Sequence, residues 1–116
     1  MSAFLKRLLV LLICAVPLTV FAENDGDTTA AAQDFLATAD EYRQHAANVR
    51  AKMSSFSPQA RSFAQRLIGV YGQLAQIKEQ MADAITAHNW DKRLETQYYR
   101  LKDQEKRLWS SIEAAN

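Results

Sequence analysis

The residues able to do acid–base, nucleophilic or metal chemistry are few in this chain of 116: two histidines, one cysteine and thirteen carboxylates. Glu41 and His45 stand four apart, a spacing that puts both on one face of a helix within reach of a shared metal ion. A structural zinc site normally takes four ligands and a catalytic one three, so a surface ion pair is the expected role and no metal site is assigned. His88 ends an apolar stripe beside Asn89 and Asp91 and is expected at a helix terminus, interacting with the last carbonyls. No serine occupies a nucleophile elbow, and no glycine loop is placed to cradle phosphate. The expectation is a protein that is not an enzyme and uses no cofactor.

The basic residues offer more. Residues 42–78 contain six bases and no acid, whereas residues 23–41 contain six acids and no base. If the two helices read below form an antiparallel hairpin, Arg50, Lys52 and Arg61 flank its turn together with Met53 and Phe56, with Arg43 further along the same basic run. One end of the molecule would then be positive, with apolar side chains exposed among the charges. Arg43, Arg50, Lys52, Met53, Phe56 and Arg61 are therefore the candidate partner-binding residues. Such a surface suits unfolded or amphipathic polypeptides, acidic partners or anionic lipid; the competing reading is a solvated helix end.

The elements that position these residues follow from apolar spacing. Phe35, Ala39, Tyr42, Ala46, Val49, Met53 and Phe56 alternate 4 and 3 apart, which holds them on one helical stripe and predicts a helix over about 29–55. Ser57-Pro58 supplies a cap and a first-turn proline for a second helix over about 58–88. Its stripe is Phe63, Leu67, Val70, Leu74, Ile77, Met81, Ala84 and His88, widened by Ala64, Ile68, Tyr71, Ala75, Ala82 and Ile85, so this helix can touch two neighbours. Asn89 or Asp91 can cap a third helix over about 91–115, with Leu94, Tyr98, Leu101, Leu108, Ile112 and Ala115 on its stripe and Glu105 interrupting it. Lys102 and Arg107 are the nearby bases that would pair with Glu105. Gly69 and Gly72, in the middle of the second helix, suggest a close helix crossing or a bend, against the alternative of two tolerated glycines on an exposed face. The fold class is all-α: a long antiparallel helical hairpin or an elongated three-helix bundle with heptad packing.

The N-terminal segment is of another kind. Residues 1–22 hold 17 apolar residues, with Lys6 and Arg7 ahead of the apolar run from Leu8 to Val16, Pro17 after it, and Val20-Phe21-Ala22 as a cleavage site. This pattern predicts a secretory signal peptide cut after Ala22, and the run is too short for a bilayer span of about 20 residues. Cleavage removes Cys14, the only thiol, so the remaining chain folds without disulfides, and the periplasm is the expected location, with secretion as the alternative. Residues 23–28 read as a disordered acidic leader and 29–116 as a single helical domain. After residue 22 the charge is 12 bases against 13 acids, which argues against nucleic acid as a partner.

Phe56-Ser57-Pro58-Gln59-Ala60-Arg61 opening a long helix, and Ala84-Ile85-Thr86-Ala87-His88-Asn89-Trp90-Asp91 joining it to the next, resemble the Spy-like periplasmic chaperones and related metal-resistance proteins over about residues 56–112. The resemblance implies a curved helical hairpin and a non-enzymatic, ATP-independent chaperone or envelope-stress protein that holds partner polypeptides. The family's Leu-Thr pair is Phe56-Ser57 here, its glutamine falls one place early at Gln59, and its metal-binding histidines have no counterparts. Two other readings compete. A structural or adaptor protein would pair its stripes with a second copy, as a homodimer, or with another envelope protein. A small exported helical enzyme of the chorismate-mutase kind needs bases inside the bundle, and here they fall mainly off the apolar stripes.

Overall fold

A computed structural model describes residues 25–116; the expected signal peptide lies outside the described residues. Three long helices follow one another: α1 (Asp25–Lys52), continued by a 3-10 turn (Met53–Ser55), α2 (Pro58–Thr86) and α3 (Lys92–Ala115). Among the described residues there is no strand, and no helix is long and apolar enough to cross a membrane. The expected all-helical class and all three helices are present. The largest boundary difference is at the start of α1, which begins at Asp25, so most of the segment expected as a disordered leader is its first turn.

The turns are set by local chemistry. Ser57 is the N-cap of α2, its Oγ accepting from the Ala60 N–H at 3.1 Å, with Pro58 at the first helical position. The same hydroxyl donates to the Ala115 carbonyl at 3.0 Å, and the Ser57 N–H donates to Asn116 Oδ1 at 3.0 Å. One residue thus starts α2 and ties down the end of α3. Asp91 caps α3 by accepting from the Arg93 N–H at 2.9 Å. At the other end of α2 the Asn89 N–H reaches the Ala84 carbonyl at 2.8 Å and the His88 N–H reaches Ile85 at 3.2 Å, a Schellman closure with His88 left-handed at φ 53°.

The short connections make sequential helices antiparallel, so α1 and α3 run the same way. α2 is central. It contributes Ala60, Ala64, Leu67, Val70, Tyr71, Leu74 and Ala75 to the core, α1 contributes Ala39, Tyr42, Ala46 and Val49, and α3 contributes Ile112 as its one fully buried residue. The alanines of α1 and α2 allow close approach along that seam. α3 rests on α2 by half-buried Tyr98, Leu101, Leu108 and Trp109.

α1 and α3 meet through long side chains. The Tyr42 and Tyr98 hydroxyls lie 3.0 Å apart and Lys102 Nζ sits 5.6 Å from the Tyr42 ring centroid, while Phe35 stacks at 5.9 Å on Trp90 in the α2–α3 connection. Glu105 turns into this seam, where Lys102 pairs with it at 2.6 Å. The close crossing suggested for Gly69 and Gly72 is not found: a Cβ built on either meets nothing within 4 Å. Both glycines lie on the exposed face of α2.

Candidate functional site

The six residues singled out in the sequence do not form one surface. Arg43 is committed to Glu79, Nη1 donating to Oε2 and Nη2 to Oε1, both at 2.8 Å. This fork is what holds the Glu79 carboxyl below the usual range and raises the Arg43 guanidinium. Arg50 and Lys52 are exposed in the last turn of α1, where their charge complements the carbonyl end of the helix dipole. Arg61 Nε donates to the Phe56 carbonyl at 3.1 Å. Met53 and Phe56, expected to stand exposed among the charges, are instead half-buried and packed against the core. Arg50 and Lys52 end α1 and Arg61 stands near the start of α2, on either side of the α1–α2 turn. The apolar component that would make that end a binding surface is turned inward.

A more continuous feature runs between α2 and α3. Two adjoining depressions, of about 390 and 460 Å³, share Gln73 and Gln104 in their walls and form a single groove along the hairpin. Its α2 wall is Arg66, Gly69, Gln73, Gln76 and Gln80, and its α3 wall is Gln97, Arg100, Gln104 and Arg107. Between them the floor is apolar. Val70 and Ile77 come from α2, each under a tenth exposed, and half-buried Leu101 and Leu108 come from α3.

Helix spacing explains the arrangement. The wall positions recur 3, 4, 3 and 4 apart on α2 and 3, 4 and 3 apart on α3, so each set keeps to one line along its helix and borders the α2–α3 contact. Val70 and Ile77 are seven apart, as are Leu101 and Leu108. In the antiparallel register Val70 lies with Leu108 in one depression and Ile77 with Leu101 in the other. The glycine at 69 leaves its stretch of the wall without a side chain, and none of its neighbours fills the space.

The side-chain amides of the walls are unengaged. All five glutamines are exposed, and none of their side-chain amides has a hydrogen-bond partner among the described residues. Each primary amide therefore offers two donors and an acceptor to whatever enters. Three guanidiniums and no carboxylate line the groove. Arg107 pairs with Asp103 at 3.0 Å outside it, Arg66 lies 5.9 Å from the Phe63 ring centroid, and Arg100 has no ion pair among the described residues.

A second polar cluster lies at the α1–α3 seam. Trp109 Nε1 donates to the Tyr71 hydroxyl at 2.9 Å, and the His45 ring lies tilted against Tyr71 with centroids 5.4 Å apart. Burial pushes the Tyr71 hydroxyl up to about 12, opposed by the Trp109 hydrogen bond and aided by Glu105. The hydrogen bond joins α2 to α3 and the ring contact adds α1, which makes the cluster a clasp. His45 faces the tyrosines Tyr42 and Tyr71, at ring distances of 6.2 and 5.4 Å. Among the described residues no three His, Cys, Asp or Glu side chains converge as a metal site would require.

The groove was missed because glutamines and arginines off the apolar stripe read as solvated faces. The signal was present as a heptad repeat in polar residues on both helices, but the antiparallel register is what makes the two lines face each other. No family model, curated protein or solved structure matches the chain.

Proposed function

We propose that this is an exported, non-enzymatic helical protein that binds partner polypeptides along the α2–α3 groove, acting in the periplasm as an ATP-independent chaperone-like or envelope-stress protein. The observation that carries the reading is the groove itself: an apolar floor between walls of unengaged side-chain amides and three guanidiniums. Apolar burial supplies affinity without chemical specificity, and free primary amides can satisfy the polar groups of many polypeptides. Export is supported by Lys6 and Arg7 before the apolar run and by the small residue Ala22 at the cleavage site. The basic turn around Arg50, Lys52 and Arg61 would assist capture of acidic chains by steering.

The test is aggregation of a denatured client, followed by light scattering with the protein recovered after export with its own N-terminal segment. Suppression at stoichiometric amounts without ATP is expected, weakening as salt rises. Unchanged aggregation at a several-fold excess would overturn the reading.

A second reading, an adaptor that pairs with a second copy or another envelope protein, is favoured by the half-buried Leu94, Leu101 and Leu108 at heptad spacing on α3. It requires a tight stoichiometric complex, which sedimentation distinguishes from a monomer.

A further inference from the structure

Resting on the groove reading above, we infer that the α2–α3 groove is built for one kind of occupant: an acidic amphipathic helix of a partner polypeptide, lying along the hairpin on the face opposite the seam filled by α1. Three observations select it. The apolar floor has two rungs, Val70 with Leu108 and Ile77 with Leu101, separated by seven residues on each helix. At 1.5 Å per residue the rungs are about 10.5 Å apart, the distance between successive equivalent core positions of a heptad helix. An extended chain presents same-face side chains about every 6.8 Å and would meet the two rungs out of step.

The walls continue the argument. Lines spaced 3 and 4 residues apart on both helices run where flanking positions stand in a coiled coil, so a third helix set on the rungs would bring its own flanking residues against Gln73, Gln76, Gln104 and the arginines. Charge then fixes the sign of those residues. Arg66 and Arg107 stand toward one end and Arg100 toward the other, with no carboxylate among the lining residues, and of the three only Arg107 is in an ion pair among the described residues, with Asp103. A second copy docking groove to groove would place arginines against arginines. A helix with Glu or Asp beside its apolar stripe would meet them with opposite charge.

Three synthetic peptides of about three heptads each test this, with Leu and Ile at the core positions and Glu, Gln or Lys at the flanking ones. Fluorescence anisotropy with the exported protein is expected to give binding in the order Glu, Gln, Lys, with the Glu peptide gaining helix by circular dichroism and losing affinity as salt rises. Arg66→Gln with Arg100→Gln is expected to weaken the Glu peptide at least tenfold and leave the Gln peptide within about twofold. Gly69→Trp, which places an indole in open space, is expected to block all three. Should that variant fold poorly in a thermal melt, the double arginine variant on exposed positions still decides the matter.

Equal binding of all three peptides, or equal binding of a proline-substituted Glu peptide, overturns the acidic-helix assignment. So does a dimer in sedimentation that Gly69→Trp dissolves. If client aggregation is still suppressed in those cases and Gly69→Trp abolishes it, the groove reading survives; if suppression is indifferent to Gly69→Trp, the groove reading fails as well.

Discussion

His88 holds φ at 53°, a left-handed backbone that a residue with a Cβ adopts at a cost of about 1–2 kcal/mol. The hydrogen bonds that require it, Asn89 to Ala84 and His88 to Ile85, close the end of α2, and glycine would make them without strain. His88→Gly is therefore expected to raise stability by about 0.5–1 kcal/mol, the relief being partly offset by the freer unfolded chain. A higher urea midpoint would show it, and a lower one would mean that the imidazole does more than end a helix. Tyr71 carries the opposite kind of information, because it is buried and its hydroxyl is raised to about 12 from an ordinary 10. The neutral phenol is favoured in the folded state, so its contribution is fully present below pH 10 and is lost as pH rises from 10 through 12. A shift of that size corresponds to about 3 kcal/mol over the window. Tyr71→Phe should cost about 1 kcal/mol at pH 7 through the lost Trp109 hydrogen bond and should flatten the decline between pH 10 and 12 in a denaturation series. Glu79, held low by Arg43, works at the acid end with the reverse sign: its contribution stands above the ordinary carboxylate range and fades as pH falls through its lowered value.

At the scale of elements, the parts that could be read from sequence are those governed by near neighbours. Ser57 and Asp91 cap their helices because cap chemistry spans two or three residues, and the alternating 4 and 3 spacing of Leu67, Val70, Leu74 and Ile77 becomes the buried face of α2. The start of α1 was not legible, since an acidic stretch is equally at home in a solvated leader and in a helix's first turn, where the dipole favours negative charge. Partnerships between elements were hidden too. Arg43 meets Glu79 across 36 residues, and no local pattern announces that the cation is already taken. Gly72 shows the same limit from the other side. Helix propensity marked it as a defect that something should offset, yet a Cβ there touches nothing. Gly72→Ala, off the groove walls, should therefore stabilise α2 by about 1 kcal/mol and raise the melting temperature by several degrees. An unchanged or lowered melting temperature would mean that α2 needs a flexible point at that turn.

For the whole molecule, what matters is how unevenly burial is shared. α2 is packed on two sides, whereas α3 keeps one fully buried residue and lies on α2 by half-covered leucines and aromatics, tied to α1 only through side chains such as Tyr98 and Lys102. Local opening follows buried contact, so the three helices should not open together. Native-state hydrogen exchange is expected to be slowest around Leu67, Tyr71 and Leu74 of α2, and markedly faster along the N-terminal half of α3, which lacks the Ser57 and Asn116 bonds that tie its other end. The same incompleteness leaves Leu101 and Leu108 half-exposed in the groove. An occupant covering them would complete the burial that α3 lacks, so exchange in α3 should slow on binding while the centre of α2 changes little. Equal protection of α2 and α3 in the free protein would show that the hairpin opens as one unit, and that covering the groove is not needed to fix α3 in place.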